Sequence, residues 1–146
     1  GVTIANVISY DGAVLGDMYP ASFDKVLLDA PCSAEGKIDL KNPRSYKFWS
    51  EKVVKNCAKL QKKLIISAAK ALKPGGILVY STCTLANEEN DEVVKFALES
   101  FGKILSVEKI TADFKYILRS KYGLISTPSE ICEGFFVARM RRRVET

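Results

Sequence analysis

Short apolar runs of strand length alternate along the chain with longer stretches in which apolar residues recur every three or four positions. Residues 6–10 (NVISY), 25–30 (KVLLDA) and 77–82 (ILVYST) have the length and apolar content of strands. Residues 50–73 and 87–100 have the spacing of amphipathic helices. Because strands that alternate with helices are typical of βαβ units, the pattern predicts an α/β fold with a mostly parallel sheet.

The two predicted helices have recognisable ends. Pro74, Gly75 and Gly76 end the first helix, and Asn87 begins the second, with carboxylates near the positive end of the helix dipole. The apolar positions of the first helix predict one stripe that faces the sheet: Val53, Cys57, Leu60, Leu64, Ala68 and Leu72.

The last third of the chain has a different pattern. Residues 104–110 and 134–140 alternate as strands do, and no long helical stretch lies directly before the second. We therefore expect an antiparallel pair at the sheet edge. The arginine-rich run at residues 139–143 is expected to be solvated, and RNA contact is the less favoured interpretation.

Composition narrows the class of protein. The 146 residues, 47% of them hydrophobic, are enough for one domain spanning residues 1–146, and no apolar run is long enough to cross a membrane. Four cysteines without a Cys-x-x-Cys pair, in a chain without histidine, argue against a zinc site and a disulfide scaffold. A reducing, cytoplasmic location is expected, and the net charge of +5 suits a polyanionic partner. The start at Gly1 without a methionine suggests a fragment.

Polar residues and cysteines follow the predicted strands where each strand ends. Asp11 follows the first, Asp29 and Cys32 follow the second, and Cys83 follows the third. The carboxyl ends of parallel strands meet in one crevice, roughly 5 Å apart for neighbours, so Cys32 and Cys83 should face each other.

The other two cysteines are interpreted differently. Cys57 and Cys132 do not follow a predicted parallel strand, and we expect both to be small buried residues.

Four segments, in this order, carry a resemblance to a known family. They are residues 29–33 (DAPCS) followed by Gly36, 73–76 (KPGG), 80–84 (YSTCT) followed by Glu88, Glu89 and Asn90, and 133–138 (EGFFVA). Together they resemble the Sun-type (Nol/Nop/Sun) RNA 5-methylcytosine methyltransferases. The resemblance implies a Rossmann-like class I methyltransferase sheet, the C-terminal part of a catalytic domain, S-adenosylmethionine as cofactor, and ribosomal or transfer RNA as substrate.

The resemblance also implies a role for each site residue. Cys83 resembles the nucleophile, and Cys32 resembles the second cysteine, which assists release of the methylated product. Asp29 resembles the acid that holds the target cytosine and borders the cofactor, and Asp11 the residue that contacts the adenine side of S-adenosylmethionine. The chemistry needs a thiolate because cytosine carbon 5 attacks a methyl sulfonium only after a nucleophile has added at carbon 6. A carboxylic acid near the ring nitrogen stabilises that adduct.

Parts of the family's domain are expected to be missing. The glycine-rich cofactor loop, the acidic residue for the ribose and the first two strands would all lie upstream of Gly1. Those strands would separate the strand of Asp11 from that of Asp29, so we expect an exposed sheet edge through which the chain associates. We also expect the chain alone to be inactive and to bind S-adenosylmethionine weakly.

Three alternatives remain open at this stage. A DNA cytosine-5 methyltransferase would use the cysteine of the Pro-Cys motif, Cys32, as its nucleophile. A non-catalytic remnant of the same fold would bind RNA without a cofactor. A redox protein would close a disulfide between Cys32 and Cys83.

Overall fold

The computed structural model describes residues 3–4, 6–112 and 115–144. Its helices are α1 (Leu15–Met18), α2 (Glu51–Ala71) and α3 (Asp91–Phe101). Its strands are β1 (Phe23–Asp29), β2 (Leu72–Thr82), β3 (Leu105–Glu108), β4 (Ile117–Arg119), β5 (Leu124–Ser126) and β6 (Phe135–Arg142). Short 3-10 turns lie at Glu35–Lys37, Pro43–Tyr46, Asn87–Glu89 and Gly102–Ile104.

The six strands form one sheet in the order β1-β2-β6-β5-β4, and β3 also pairs with β6. β1 and β2 are parallel, whereas the pairings of β6 with β2, β3 and β5, and of β4 with β5, are antiparallel. This arrangement confirms the predicted α/β fold and the antiparallel pairing of β3 with β6. The hairpin of β4 and β5 was not predicted, because three-residue strands are too short to show an alternating pattern.

The prediction of a strand at residues 6–10 is wrong. These residues are exposed and have no regular secondary structure. A strand exists only through hydrogen bonds to a neighbour, and β1 pairs with β2 alone among the described residues. The other edge of β1 is therefore open, and Leu27 on that strand is 71% exposed.

Helix α2 begins where the sequence predicts, since the Ser50 side chain accepts a hydrogen bond from the Val53 N–H at 3.3 Å. Its buried line differs from the predicted stripe by about one residue and consists of Val54, Ala58, Gln61, Ile65 and Ala69. Leu60 of the predicted stripe is 40% exposed, whereas Gln61 is fully buried. A pattern of apolar residues alone does not predict this buried face, because the residue at its centre, Gln61, is polar.

Helix α2 ends at Ala71, three residues before the predicted stop at Pro74. Residues 73–76 belong instead to the start of β2, where the pairing with β1 is irregular. Gly75 has φ +82°, a left-handed conformation that favours glycine.

The arginine-rich run is not a solvated tail. Arg139, Arg141 and Arg142 are part of β6. Arg139 pairs with Glu108 of β3 at 2.7 Å, and Arg141 pairs with the same carboxylate. The hydrogen bond from Arg141 is the main reason that the pKa of Glu108 lies below its usual value. These arginines therefore join two strands of the sheet.

The core lies where α2 and α3 cover the middle of the sheet. Tyr80 and Phe136 are fully buried there, with ring centroids 6.2 Å apart and an edge-on geometry. Among the described residues, no helix has both the length and the apolar character that a membrane span requires.

Candidate active site

The site is formed where β1 and β2 end side by side. Their parallel register places Asp29 opposite Ser81, so the loops that follow both strands leave the sheet together. The sulfur atoms of Cys32 and Cys83 lie 3.0 Å apart, and the Cys83 N–H donates to the Cys32 sulfur at 3.3 Å. The contact predicted from the strand ends is confirmed.

Two glycines allow the Cys32 loop to pass close to both neighbouring strands. The Gly36 N–H donates to the Cys83 carbonyl at 3.0 Å, and the Gly134 N–H donates to the Gly36 carbonyl at 2.9 Å. A Cβ atom on Gly36 would lie 2.0 Å from the Gly134 carbonyl oxygen. Only glycine fits at position 36 with this backbone, so the loop is held against β2 and β6 together.

A buried polar network lies beneath the cysteine pair. The Ser33 and Thr84 hydroxyls are 2.9 Å apart and link the two loops directly. The Ser33 N–H donates to the Glu89 carboxylate at 3.0 Å. The Gln61 side-chain amide donates to the same carboxylate at 2.7 Å and to the Pro31 carbonyl at 2.8 Å. The residues on both sides of Cys32 are therefore anchored.

The turn that carries Cys83 is fixed by a second set of hydrogen bonds. The Thr82 hydroxyl donates to the Asn90 side chain at 2.6 Å, and the Asn90 amide donates to the Thr84 carbonyl at 3.0 Å. The Tyr80 hydroxyl donates to the Glu89 carbonyl at 2.6 Å. All of these hydrogen-bonded residues are buried, so the backbone on both sides of Cys83 is fixed by bonds that are shielded from water.

Cys32 differs from an ordinary surface thiol. Burial, and then the hydrogen bond with Cys83, raise the pKa of Cys32 to about 12. At neutral pH Cys32 therefore keeps its proton, and its S–H is available as a donor to the Cys83 sulfur.

The remaining cysteines lie outside this pair, and both are partly exposed rather than buried as the sequence suggested. Burial, followed by the nearby Glu89, raises the pKa of Cys57. Hydrogen bonds with Ser126 and Ser129 lower the pKa of Cys132.

The two aspartates have different positions. Asp29 is exposed at the end of β1 and accepts a hydrogen bond from the Ser81 hydroxyl at 2.9 Å, close to the cysteine loops. Asp11 borders a separate cleft of about 820 Å³ that is formed mainly by α2 and α3 and includes Lys59 and Phe96. The structure thus brings Asp29, Cys32 and Cys83 to one edge, and it does not bring Asp11 there.

Glu89 and Gln61 are site residues that the sequence reasoning missed. The sequence indicates Glu89 only as a carboxylate at a helix start and as part of the segment after residues 80–84 that resembles the family, and it gives no role to Gln61. The sequence signal that could have identified Gln61 is its spacing: it lies three residues after Ala58 and four residues before Ile65, on the buried line of α2. In the described part of the chain, no group of three or more histidine, cysteine or acidic residues is arranged to hold a metal ion.

Comparison with known proteins gives consistent matches. The model of the 16S rRNA methyltransferase RsmB/F family matches residues 1–141. The ribosomal RNA small subunit methyltransferase F of Vibrio parahaemolyticus is 44% identical over 146 residues, which cover 97% of this chain and 30% of that protein. The protein of the same name from Photobacterium profundum is 43% identical over 152 residues, which cover 100% of this chain and 32% of that protein. The chain thus spans about a third of the length of these relatives.

Solved structures match as well. The structure of NSun6 from Pyrococcus horikoshii with SFG has a TM-score of 0.76 and 31% identity, covering 96% of this chain and 35% of that chain. A methyltransferase homologue from the same organism has a TM-score of 0.58 and 30% identity, covering 90% of this chain and 42% of that chain.

Proposed function

Because the chain belongs to the 16S rRNA methyltransferase RsmB/F family, we propose that it carries the reacting cysteines of an RNA cytosine-5 methyltransferase. The proposed substrate is small-subunit ribosomal RNA, which is the substrate class in the names of its relatives. A ribosomal RNA substrate also agrees with the cytoplasmic location expected from the sequence. The observation that carries the proposal is the 3.0 Å contact between the sulfur atoms of Cys32 and Cys83 at the edge of the sheet.

In the proposed reaction, the Cys83 thiolate adds to carbon 6 of the target cytosine, which makes carbon 5 nucleophilic. S-adenosylmethionine supplies a methyl group on a sulfonium, and the related NSun6 structure contains SFG, an analogue of that cofactor. Loss of the carbon-5 proton to a base then restores the double bond, and the carbon–sulfur electron pair returns to Cys83.

Cys32 is proposed to act at this last step. Its pKa of about 12 keeps a proton on its sulfur at neutral pH, 3.0 Å from the Cys83 sulfur. That proton can pass to the Cys83 sulfur as the bond to the ring breaks, and the proton that the base removed from carbon 5 then returns to the Cys32 sulfur. The raised pKa of Cys32 favours the RNA enzyme over a DNA cytosine-5 methyltransferase, in which the Cys32 thiolate would itself attack the ring.

The described residues fit the cofactor in part. The Asp29 carboxylate is exposed beside the cysteines and suits a position near the sulfonium and the target cytosine. Asp11 borders a different cleft, so its proposed contact with the adenine side is not supported by this geometry. We therefore expect weak binding of S-adenosylmethionine by the 146-residue chain alone, and tight binding in calorimetry would contradict that expectation.

A methyl-transfer assay tests the proposed function. The natural protein is incubated with labelled S-adenosylmethionine and small-subunit RNA, and the modified nucleoside is identified by mass spectrometry. We expect 5-methylcytosine with the wild type and with the control Cys57→Ala, and none with Cys83→Ala. Methylation at another atom, or full activity of Cys83→Ala, would contradict the proposal. Activity on DNA that is lost only with Cys32→Ala would favour the DNA enzyme.

A further inference from the structure

A buried carboxylate is hydrogen-bonded to the loop that carries Cys32. Glu89 is 0% exposed, although a carboxylate that loses its water needs strong compensating hydrogen bonds. Three contacts supply them: the Ser33 N–H reaches both carboxylate oxygens, at 3.0 and 3.3 Å, and the Gln61 amide reaches one of them at 2.7 Å. Glu89 therefore binds the loop of Cys32 although it belongs to the turn after Cys83.

The hydrogen bonds enclose Cys32 on both sides. Ser33 follows Cys32 in the chain, and its N–H is held by Glu89. Pro31 precedes Cys32, and its carbonyl accepts from Gln61 at 2.8 Å. Because Gln61 also donates to Glu89, one connected pair of side chains fixes both peptide groups next to the thiol.

The position requires a group that accepts from two donors at once. The Ser33 N–H and the Gln61 amide both donate to the same Glu89 oxygen, at 3.0 and 2.7 Å. The Ser33 N–H also reaches the second oxygen at 3.3 Å, where the NH2 group of an amide would oppose it. The Gln61 oxygen is buried without a hydrogen-bond partner, so rotating Gln61 to suit an amide would set that oxygen against the Pro31 carbonyl. A glutamate is thus the residue type that accepts all three of these hydrogen bonds.

We propose that Glu89, together with Gln61, is a positioning residue that holds the Cys32 thiol against the Cys83 sulfur. This inference rests on the proposed function for its kinetic consequence, since Cys32 acts when the RNA leaves Cys83. Loss of Glu89 should slow release of the RNA far more than attack on the cytosine. The geometric part of the inference does not depend on the reaction.

Disulfide closure measures the geometric part without RNA. In the natural protein with every cysteine except Cys32 and Cys83 replaced by serine, diamide takes one hydrogen from each thiol as the S–S bond forms. The rate is followed as a loss of two hydrogens in intact mass. We expect Glu89→Gln to slow closure by roughly tenfold, because the NH2 group of the amide opposes the Ser33 N–H that the carboxylate accepts. The control Glu99→Gln, which changes an exposed glutamate on α3, should close at the wild-type rate.

A second variant covers the case in which Glu89→Gln does not fold. Gln61→Met keeps the shape of the side chain but releases the Pro31 carbonyl, and it should slow closure in the same direction. Wild-type closure rates in a folded Glu89→Gln or Gln61→Met protein would overturn the inference, whatever the protein does to RNA.

RNA turnover separates positioning from a general loss of structure. With ordinary substrate RNA, Glu89→Gln should lower the rate of multiple turnover by roughly tenfold and change the rate of the first turnover by less than about twofold. A covalent protein–RNA adduct should also accumulate and appear as a band on a denaturing gel. Cys32→Ala should show the same changes in turnover and the same adduct as Glu89→Gln. Equal losses in both phases without an adduct would contradict the positioning role. If the wild type transfers no methyl group at all, the proposed function fails, and the disulfide rates still decide the role of Glu89.

Discussion

At the scale of single residues, the surroundings of Cys32 and Cys132 in the fold change the pKa of the two thiols in opposite directions. Cys32 lies against Cys83 and has a raised pKa, because burial and the neighbouring sulfur both oppose its charged form. Cys132 lies among the Ser126 and Ser129 side chains, whose hydrogen bonds favour its thiolate. The thiolate is the reactive form, so these differences should appear directly in chemical modification.

Alkylation with iodoacetamide tests the pKa of Cys32. Its pKa of about 12 means that its thiolate, and hence its rate, increases with pH until about pH 12. The lowered pKa of Cys132 makes its rate level off at a lower pH than an ordinary thiol. We expect peptide mass spectrometry at pH 8 to find Cys132 modified well before Cys32. Modification of Cys32 at or before the rate of Cys132 would show that Cys32 is not held as a neutral thiol.

The sequence predicted some of these residues and missed others for a physical reason. Cys32 and Cys83 follow apolar runs directly, so their meeting could be inferred from parallel strand ends alone. Glu89 and Gln61 lie on elements whose patterns show only exposed carboxylates and a helix. Their role depends on hydrogen bonds between segments that are far apart in the chain, which no local pattern records.

At the scale of elements, the site depends on how closely the Cys32 loop approaches β6. The Gly134 N–H donates to the Gly36 carbonyl at 2.9 Å, and the Gly134 Cα lies 2.7 Å from the position that a Gly36 Cβ would take. Any side chain at position 36 must push the loop away from the strand and move Cys32 with it.

Replacing Gly36 by alanine should therefore destabilise the protein. We expect the free energy of unfolding to fall by about 2 kcal/mol or more, because a Cβ 2.0 Å from the Gly134 oxygen forces the backbone to shift. Gly12→Ala is the control, since its Cβ would meet only the end of the Leu64 side chain, and a change within about 0.5 kcal/mol is expected. Both values come from urea denaturation. Equal free energies of unfolding for the two variants would contradict the close approach of Gly36 to the Gly134 backbone.

The elements also show where sequence patterns succeed. The bounds of β1 and α2 are close to those predicted, because each has a clear apolar pattern and a recognisable start or stop. In contrast, β2 begins at Leu72 instead of residue 77, and α3 begins at Asp91 instead of Asn87. Residues 6–10 have the same pattern as β1, but they form no strand because none of the described strands lies beside them. Strand formation depends on a neighbour as well as on the residues themselves.

At the scale of the whole molecule, β1 pairs with β2 alone among the described strands, so its other edge is open in this part of the chain. Unpaired backbone groups and exposed apolar side chains on an edge strand favour pairing with another chain. Leu27 lies on this strand and is 71% exposed, and Phe23 is 45% exposed. The association expected from the sequence remains a prediction, and the structure identifies the residues that would carry it.

Analytical ultracentrifugation of the 146-residue chain tests that association. We expect concentration-dependent association of the wild type and a monomer for Leu27→Lys, because a charge on the edge strand opposes pairing. Leu40→Lys is the control, since Leu40 is 84% exposed but lies in no strand. If Leu40→Lys reduces association as much as Leu27→Lys does, the open edge is not the contact surface.

The central claim is that Cys83 is the nucleophile and Cys32 its partner. The most direct measurement is trapping of the natural protein on 5-azacytidine-containing small-subunit RNA, which should hold the adduct because carbon 5 of the ring is replaced by nitrogen. We predict a covalent protein–RNA band on a denaturing gel for the wild type and for Cys32→Ala, and no band for Cys83→Ala. A band that persists in Cys83→Ala and disappears in Cys32→Ala would contradict the account.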